Sequence, residues 1–292
     1  MNHLKQFLIG LLCSVITTAF LPVQASDNPN LSALSSLIIP GSAQWVHDEE
    51  GKGSLHFISF STGVMGSGYY SDRSDYLSDS ERYNDDKSTE YINSTSLKAG
   101  LFDGLLLNTM FYSSYDAYSD IRYQETKTKK ASLGALAASP FQWEYLSRPT
   151  TYVPLILIAA ASSQEKFTYQ SVDSTSKGEM ATQAVAVNTM TAVGEEAFFR
   201  GYMNHELSYQ LGENWAIGLS SVGFGLAHNG EGDQADQLTA AAIGGYLAWL
   251  HQSNHYQMGE NIALHYWINM ISDLAAISRG KKGTLLSLGY PF

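Results

Sequence analysis

The sequence predicts an all-α protein that folds as a multi-helix bundle of the membrane type. No segment alternates apolar and polar residues as a half-buried strand does, and no repeat recurs at a fixed period. Small residues are frequent in the C-terminal part, where Gly218, Gly223, Gly225, Gly244 and Gly245 would let helices approach closely, as in membrane bundles. Four C-terminal segments have helical character, at about 179–210, 214–228, 236–252 and 260–279.

The composition limits the classes of partner. The chain has 292 residues, a net charge of −11 and only 15% charged residues. Nucleic-acid binding needs a basic surface, so no nucleic-acid partner is expected. Aromatic residues make up 12% of the chain, which favours contact with a lipid bilayer at the membrane–water boundary. In contrast, the mean hydropathy of −0.14 is low for a protein built mostly of lipid-facing helices.

The N-terminus is typical of a targeting segment. Lys5 precedes an apolar run from Phe7 to Val23, and the small-residue pattern that ends at Ala25 resembles a cleavage site. Residues 1–25 are therefore predicted to be a secretory signal peptide, with an uncleaved first membrane helix as the alternative. The only cysteine, Cys13, lies in this run, so a cleaved chain would contain neither disulfides nor cysteine metal ligands.

Residues 26–175 are predicted to form an N-terminal helical membrane region of unknown role. Pro40 and Gly41 indicate a turn, and the residues after it are apolar over 54–70, polar and acidic over 71–96, and helical in character over 97–118. We interpret 54–70 as a short span or a buried helix, and 71–96 as a solvated loop. After a further short apolar run at 151–163, the polar segment 164–178 is the predicted boundary to a core at 176–280, with a tail at 281–292.

Two adjacent glutamates and an arginine stand out in the first C-terminal segment. Glu196 and Arg200 are four residues apart, so they share a helix face and can form an ion pair with a structural role. Glu195 is rotated about 100° from Glu196 and lies among apolar residues, which suits a general base that works near neutral pH. The plainer interpretation is an exposed helix salt bridge, which the apolar surroundings disfavour.

Two later segments supply histidines. His228 follows Phe224 by one turn, and His265 and Asn269 are also one turn apart. A lone histidine on an apolar helix is more often a core residue than a catalyst, and a single His-x-x-x-Asn pattern is weak. A neutral imidazole and a carboxamide can nevertheless hold a water molecule, donate to an oxyanion or bind a metal.

The conjunction of the three patterns is more specific. Glu-Glu-x-x-x-Arg, Phe-x-x-x-His and His-x-x-x-Asn, in this order and without substitution, resemble the motifs of the CPBP family. This group of intramembrane proteases includes the type II CAAX prenyl endopeptidases and relatives that provide immunity to bacteriocins. The resemblance covers roughly residues 179–279, about a third of the chain, and implies a helical membrane bundle with the active site in the helix core.

The resemblance also implies a mechanism. Glu195 would activate a water that attacks a peptide carbonyl, His228 would help to bind that water, and His265 and Asn269 would steady the oxyanion. The ion pair of Glu196 and Arg200 would brace the site. A metal-free glutamic mechanism is favoured, because asparagine is an unusual zinc ligand and no His-Glu-x-x-His is present; zinc stays an alternative.

The leading hypothesis is thus an intramembrane endopeptidase of the bacterial cell membrane that cuts a membrane-associated peptide or protein. Specificity for prenylated CAAX substrates is not predicted, because a secretory leader makes such substrates unsuitable. One alternative is a non-catalytic membrane immunity or scaffold protein that retains the fold. Another is a soluble or envelope-attached metalloenzyme that uses the same histidines and glutamates.

Overall fold

A computed structural model describes residues 28–78, 89–163, 168–171, 173–228 and 234–279. The predicted leader at 1–25 and the predicted tail at 281–292 lie outside the described residues. The described part is helical except for two short strands, so the predicted helical architecture is confirmed.

The N-terminal region begins with helices that pack side by side. Asn28 caps the first helix through its side-chain oxygen, and Gly41 forms the predicted turn after Pro40 with a φ of 92°, a conformation that favours glycine. Asn93 starts the longest helix with a capping box that includes Ser96. The helices are α1 (Pro29–Ile38), α2 (Ser42–Val46), α3 (Glu50–Ser78) and α4 (Ser94–Thr126).

The predicted solvated loop at 71–96 is wrong in three places. Helix α3 continues through Ser78, and α4 begins at Ser94. Between them lies strand β1 (Thr89–Ile92), which pairs in parallel with strand β2 (Thr168–Ser171). Acidic and polar residues do not exclude a helix, and four residues are too short for a visible alternation, which explains why the sequence did not reveal these elements.

Short helices connect the two regions. The predicted apolar run at 151–163 lies almost entirely within a helix. This helix begins at Pro149, and proline is well suited to the first turn of a helix. A single 3₁₀ turn covers Ser139–Phe141. The helices here are α5 (Leu133–Ala138), α6 (Trp143–Leu146) and α7 (Pro149–Ser162).

The four predicted C-terminal segments are all helical. The first is continuous but changes its winding: an α-helix to Glu195 is followed by a π-helical stretch over Glu196–Asn204, here called the π segment. The elements are α8 (Lys177–Glu195), the π segment, α9 (His205–Leu211), α10 (Glu213–Ala227), α11 (Gln234–Ser253) and α12 (Gly259–Arg279).

The core forms where α4, α8, the π segment and α12 meet. Helix α4 packs against α1 and α3 on one side and against α8 and the π segment on the other, and α12 packs against α8 and α7. Helices α10 and α11 form a close pair: a side chain on Gly225 or Gly244 would meet the opposite helix at 2.8 or 3.0 Å, whereas Gly218 faces open space. The close approach predicted from the glycines is therefore present at some of them.

In the described part of the chain, no helix combines the length and the apolar content needed to cross a bilayer.

Candidate functional site

The candidate site is built at the junction of α8 and the π segment. Helix α8 starts at a capping box in which Ser176 and Glu179 cap each other's backbone amides, and it runs 19 residues to Glu195. The π segment begins at the next residue, Glu196. π-helical windings are rare and frequently occur at functional sites. Here the change in winding falls between the two adjacent glutamates.

Glu196 lies at the centre of a buried ion cluster. Its Oε1 lies 3.1 Å from Arg200 Nη1 and 2.8 Å from His265 Nδ1. The side chains of Glu196 and Arg200 are 0% and 1% exposed, so the pair that the spacing predicts is buried rather than exposed. Burial lowers the pKa of Arg200, while Glu196 and Glu195 oppose this effect, and arginine remains charged in proteins.

Two further contacts hold the guanidinium of Arg200. Its Nη2 donates to the backbone oxygen of Gly244 over 3.2 Å, and its Cζ lies 4.3 Å from the ring centre of Phe224. A cation over an aromatic face in a dry environment is attracted by about 2 kcal/mol. Helices α10 and α11 therefore both fix Arg200, which in turn fixes Glu196.

His265 contacts both glutamates. Because Glu196 is the nearest acceptor, Nδ1 is assigned as the donor to Glu196, and Nε2 then lies 3.7 Å from Glu195 Oε2. Glu195 is 3% exposed and His265 is 5% exposed. Two carboxylates and one guanidinium leave the cluster with one carboxylate that no cation balances. A buried charge without a partner is costly, so Glu195 favours a hydrogen-bond donor beside it.

Several polar atoms of the cluster have no hydrogen-bond partner within the described part of the chain. They are Glu195 Oε2, Glu196 Oε2, Arg200 Nε and Arg200 Nη1; the last is close to Glu196 but is not aligned as a hydrogen bond. Buried polar atoms are normally satisfied by hydrogen bonds, and a catalytic role is one explanation for an exception. The cluster can therefore accept hydrogen bonds from a bound molecule at Glu195.

The other two predicted residues lie next to this group. His228 ends α10 with its Nδ1 2.8 Å from the backbone oxygen of Phe224. The Phe224 ring packs against the rings of both His228 and His265, with centres 4.5 and 6.0 Å apart. Asn269 is half-buried and one turn beyond His265 on α12. Four of the six predicted residues are thus linked through side-chain contacts of 2.8 to 3.7 Å. His228 adjoins them through the Phe224 ring, and Asn269 lies one helix turn from His265.

Sequence reasoning missed a second polar pair in the same helix interface. Asn188 Nδ2 donates to Asp273 Oδ2 over 2.7 Å, and burial raises the pKa of Asp273 to about 7. Asn188 precedes Glu195 by two turns on α8, and Asp273 follows Asn269 by one turn on α12. The repeated spacing of polar residues on otherwise apolar helices was the signal that could have revealed this pair.

The buried cluster offers few of the donors that hold a zinc ion. Nowhere in the ranges that the structure describes do three or more His, Cys, Asp or Glu side chains converge as metal ligands. Glu196 Oε1 and His265 Nδ1 are already bound to each other, and the Arg200 guanidinium at 3.1 Å from Glu196 would repel a dication there. Glu195 Oε2 and His265 Nε2 face each other over 3.7 Å and make two candidate ligands, whereas catalytic zinc commonly takes three protein ligands.

Comparison with known families agrees with the motif resemblance. Residues 177–271 match the model of a family described as type II CAAX prenyl endopeptidase Rce1-like. The matched stretch extends from the start of α8 into α12 and contains all six predicted site residues. No curated protein and no solved structure matched the chain. The resemblance to this protease family is thereby confirmed over about a third of the chain.

Proposed function

We propose, starting from the family match over residues 177–271, that the chain is an endopeptidase that hydrolyses a peptide bond with a water activated by Glu195. The observation that carries the proposal is the buried cluster in which His265 contacts two glutamates while Glu195 Oε2 has no hydrogen-bond partner among the described residues. A glutamate kept in apolar surroundings beside an imidazole is the type of group that serves as a general base.

The distance between Glu195 and His265 supports a position for the attacking water. Glu195 Oε2 and His265 Nε2 are 3.7 Å apart, which is too far for a direct hydrogen bond and close enough for one water to reach both. One O–H of this water donates to the Glu195 carboxylate and the other to Nε2. The oxygen lone pair is then left for the substrate carbonyl.

The reaction follows in two steps. Glu195 takes one proton from the water as its oxygen forms a bond to the peptide carbonyl carbon, and the carbonyl π electrons move to the oxygen. The C–N bond then breaks, the oxyanion re-forms a carbonyl, and Glu195 returns the proton to the departing nitrogen. Asn269 is assigned to donate a hydrogen bond to the oxyanion. The rings of His228 and His265 both pack against Phe224, and His228 is assigned a place beside the water, on the side where the substrate binds.

Glu196 and Arg200 act as positioning groups. Nδ1 of His265 donates to Glu196, which orients the ring so that Nε2 faces Glu195. Arg200 holds Glu196 in place, and its own position is set by Gly244 and Phe224. Electrostatic interactions of this kind are strong in a buried, preorganised site.

The proposed substrate is a membrane-associated peptide or protein in a bacterial envelope, and the proposed chemistry uses no metal. Exposed apolar side chains on α7 support a location beside lipid: Ile156 and Leu157 are 62% and 65% exposed. Specificity for a prenylated CAAX end is not part of the proposal.

The function is tested by comparing protein termini in cells that carry the wild type, Glu195→Gln or Glu213→Gln. Glu213 is an exposed glutamate at the start of α10, so its variant is the matched control. We expect new termini in envelope proteins with the wild type and the control, and their loss with Glu195→Gln. Identical termini in all three strains, together with a Glu195→Gln strain that keeps the wild-type phenotype, would favour a non-catalytic immunity or scaffold role.

A further inference from the structure

Helix α8 and the π segment are continuous and are together called the site helix. Helix α4 of the N-terminal region contacts the site helix on both sides of its charged residues. The contact points on the site helix are Gly194, directly before Glu195, and Gly201, directly after Arg200. Both positions lack a side chain, and both are occupied from the other side by α4. The region of unknown role thus meets the candidate site at its two ends.

The first contact joins Asn108 to Gly194. A Cβ on Gly194 would lie 2.6 Å from Asn108 Cβ and 2.8 Å from Asn108 Cγ, which is closer than side chains approach. The Asn108 amide is fixed because its Nδ2 donates to the backbone oxygen of Gly104 over 2.8 Å. Its Oδ1 is buried without a hydrogen-bond partner among the described residues. A buried acceptor without a hydrogen bond is costly, and here it lies against the backbone of Gly194.

The second contact joins two tyrosines to Gly201. A Cβ on Gly201 would lie 2.6 Å from the Tyr115 ring, and Tyr123 donates its hydroxyl hydrogen to the Gly201 backbone oxygen over 3.0 Å. Between the two contacts, the rings of Phe111 and Phe198 stack with centres 4.8 Å apart. The residues 108, 111, 115 and 123 follow one face of α4, so the packing continues along the whole π segment.

An ion pair closes the interface just beyond the π segment. Arg122 donates from Nε and Nη2 to both oxygens of Glu206 over 2.9 and 3.0 Å, and Tyr118 donates to Glu206 over 2.9 Å. Arg122 and the other donors around it lower the pKa of Glu206 to about 2, against the effect of burial. The carboxylate therefore stays charged and bound across the neutral range.

We infer that the N-terminal region is part of the site's scaffold, and that Asn108 is a positioning residue for Glu195 and Glu196. A π-helical winding is uncommon and persists where surrounding structure holds it. The face of α4 supplies that constraint: it meets the site helix before Glu195, beside Phe198 and after Arg200. The winding sets the directions of the two adjacent glutamates, and so the geometry in which His265 contacts both.

The test measures the His265 imidazole rather than peptide cleavage, so it is independent of the proposed function. The full-length protein is labelled with ¹⁵N-histidine, and the His265 ring signals are assigned from the His265→Gln spectrum. Gly194→Ala is expected to shift both ring nitrogen signals, because the added methyl group pushes Asn108 and the site helix apart. Gly218→Ala is the matched control, since a Cβ there meets nothing within 4 Å.

Second-site rescue separates positioning from general damage. The double variant Gly194→Ala/Asn108→Gly removes the Asn108 Cβ as well as its amide, so the added methyl group takes the space that they leave, and its His265 signals are expected to return towards the wild-type positions. Unchanged signals in folded Gly194→Ala, or no return in the double variant, would overturn the inference. If Gly194→Ala does not fold, Asn108→Ala alone carries the test: shifted His265 signals support the positioning role, and wild-type signals overturn it.

Discussion

Removal of the Arg200 charge should expose how the buried ion cluster is held together. The Arg200→Met variant leaves Glu196, which is 0% exposed, without its cationic partner. Breaking a buried ion pair from one side costs about 3–5 kcal/mol, because a buried charge is left uncompensated. The contacts to Gly244 and Phe224 are lost as well. His265 Nδ1 still donates to Glu196 over 2.8 Å, which places the expected loss at the lower end, about 3 kcal/mol.

The assay is thermal unfolding followed by circular dichroism. A loss of about 3 kcal/mol corresponds to a fall in Tm of roughly 6–10 °C for a protein of this size. The double variant Arg200→Met/Glu196→Gln removes both charges and should recover at least about 2 kcal/mol, since a neutral pair leaves no isolated charge. Lys52→Met is the control, because Lys52 is 44% exposed and its partners Glu49 and Asp120 are 37% and 29% exposed, and an exposed pair contributes less than about 1 kcal/mol.

Two results would refute this reasoning. One is a loss below about 1 kcal/mol in the Arg200→Met variant, which is the value expected of an exposed pair. The other is a double variant as unstable as the single one, because the instability would then come from lost packing rather than from the unpaired charge of Glu196.

Two further predictions concern stability. Gly41→Ala should destabilise the fold by about 2 kcal/mol or more, because the residue has a φ of 92° and a Cβ would lie 2.8 Å from a backbone carbon of α3; Gly51→Ala, with no atom within 4 Å, should be neutral or slightly stabilising in the same thermal assay. The second prediction is a pH dependence. Burial lowers the pKa of His205 to about 4 and that of His251 to about 3, so the unfolded chain binds these protons first and stability is lost as the pH falls from about 6.5. Asp273, whose pKa is raised to about 7, acts in the opposite direction: the folded state binds its proton first, so its contribution grows as the pH falls below 7. Between pH 7 and 5.5 we expect a net loss of about 1 kcal/mol in the wild type and about 2–3 kcal/mol in Asp273→Asn, and equal slopes in a pH series of melts would contradict the assigned role of Asp273.

The motif spacings predicted much of the site because they report helix faces. Glu196 and Arg200 at four residues apart form the expected pair, and the segments that carry His228 and His265 are helices close to the predicted bounds. Spacing does not reveal which helix covers a face, so the contact of His265 with both glutamates appears only in three dimensions.

Other features depend on tertiary packing and left no local signal. The π segment after Glu195 follows from the packing of α4 against Gly194 and Gly201, and these residues are more than 70 positions from their partners Asn108 and Tyr123. The strands β1 and β2 are four residues each and pair across a long separation, which local periodicity does not detect.

The most direct test of the account is hydrolysis in ¹⁸O-water by the purified protein, reconstituted with envelope membranes and analysed by mass spectrometry. A water attack on a peptide carbonyl places ¹⁸O in each new C-terminal carboxyl group. The account predicts labelled new C-termini with the wild type and none with Glu195→Gln. The same labelled termini in both samples, or none with either, would contradict the claim that this buried cluster is a hydrolytic site.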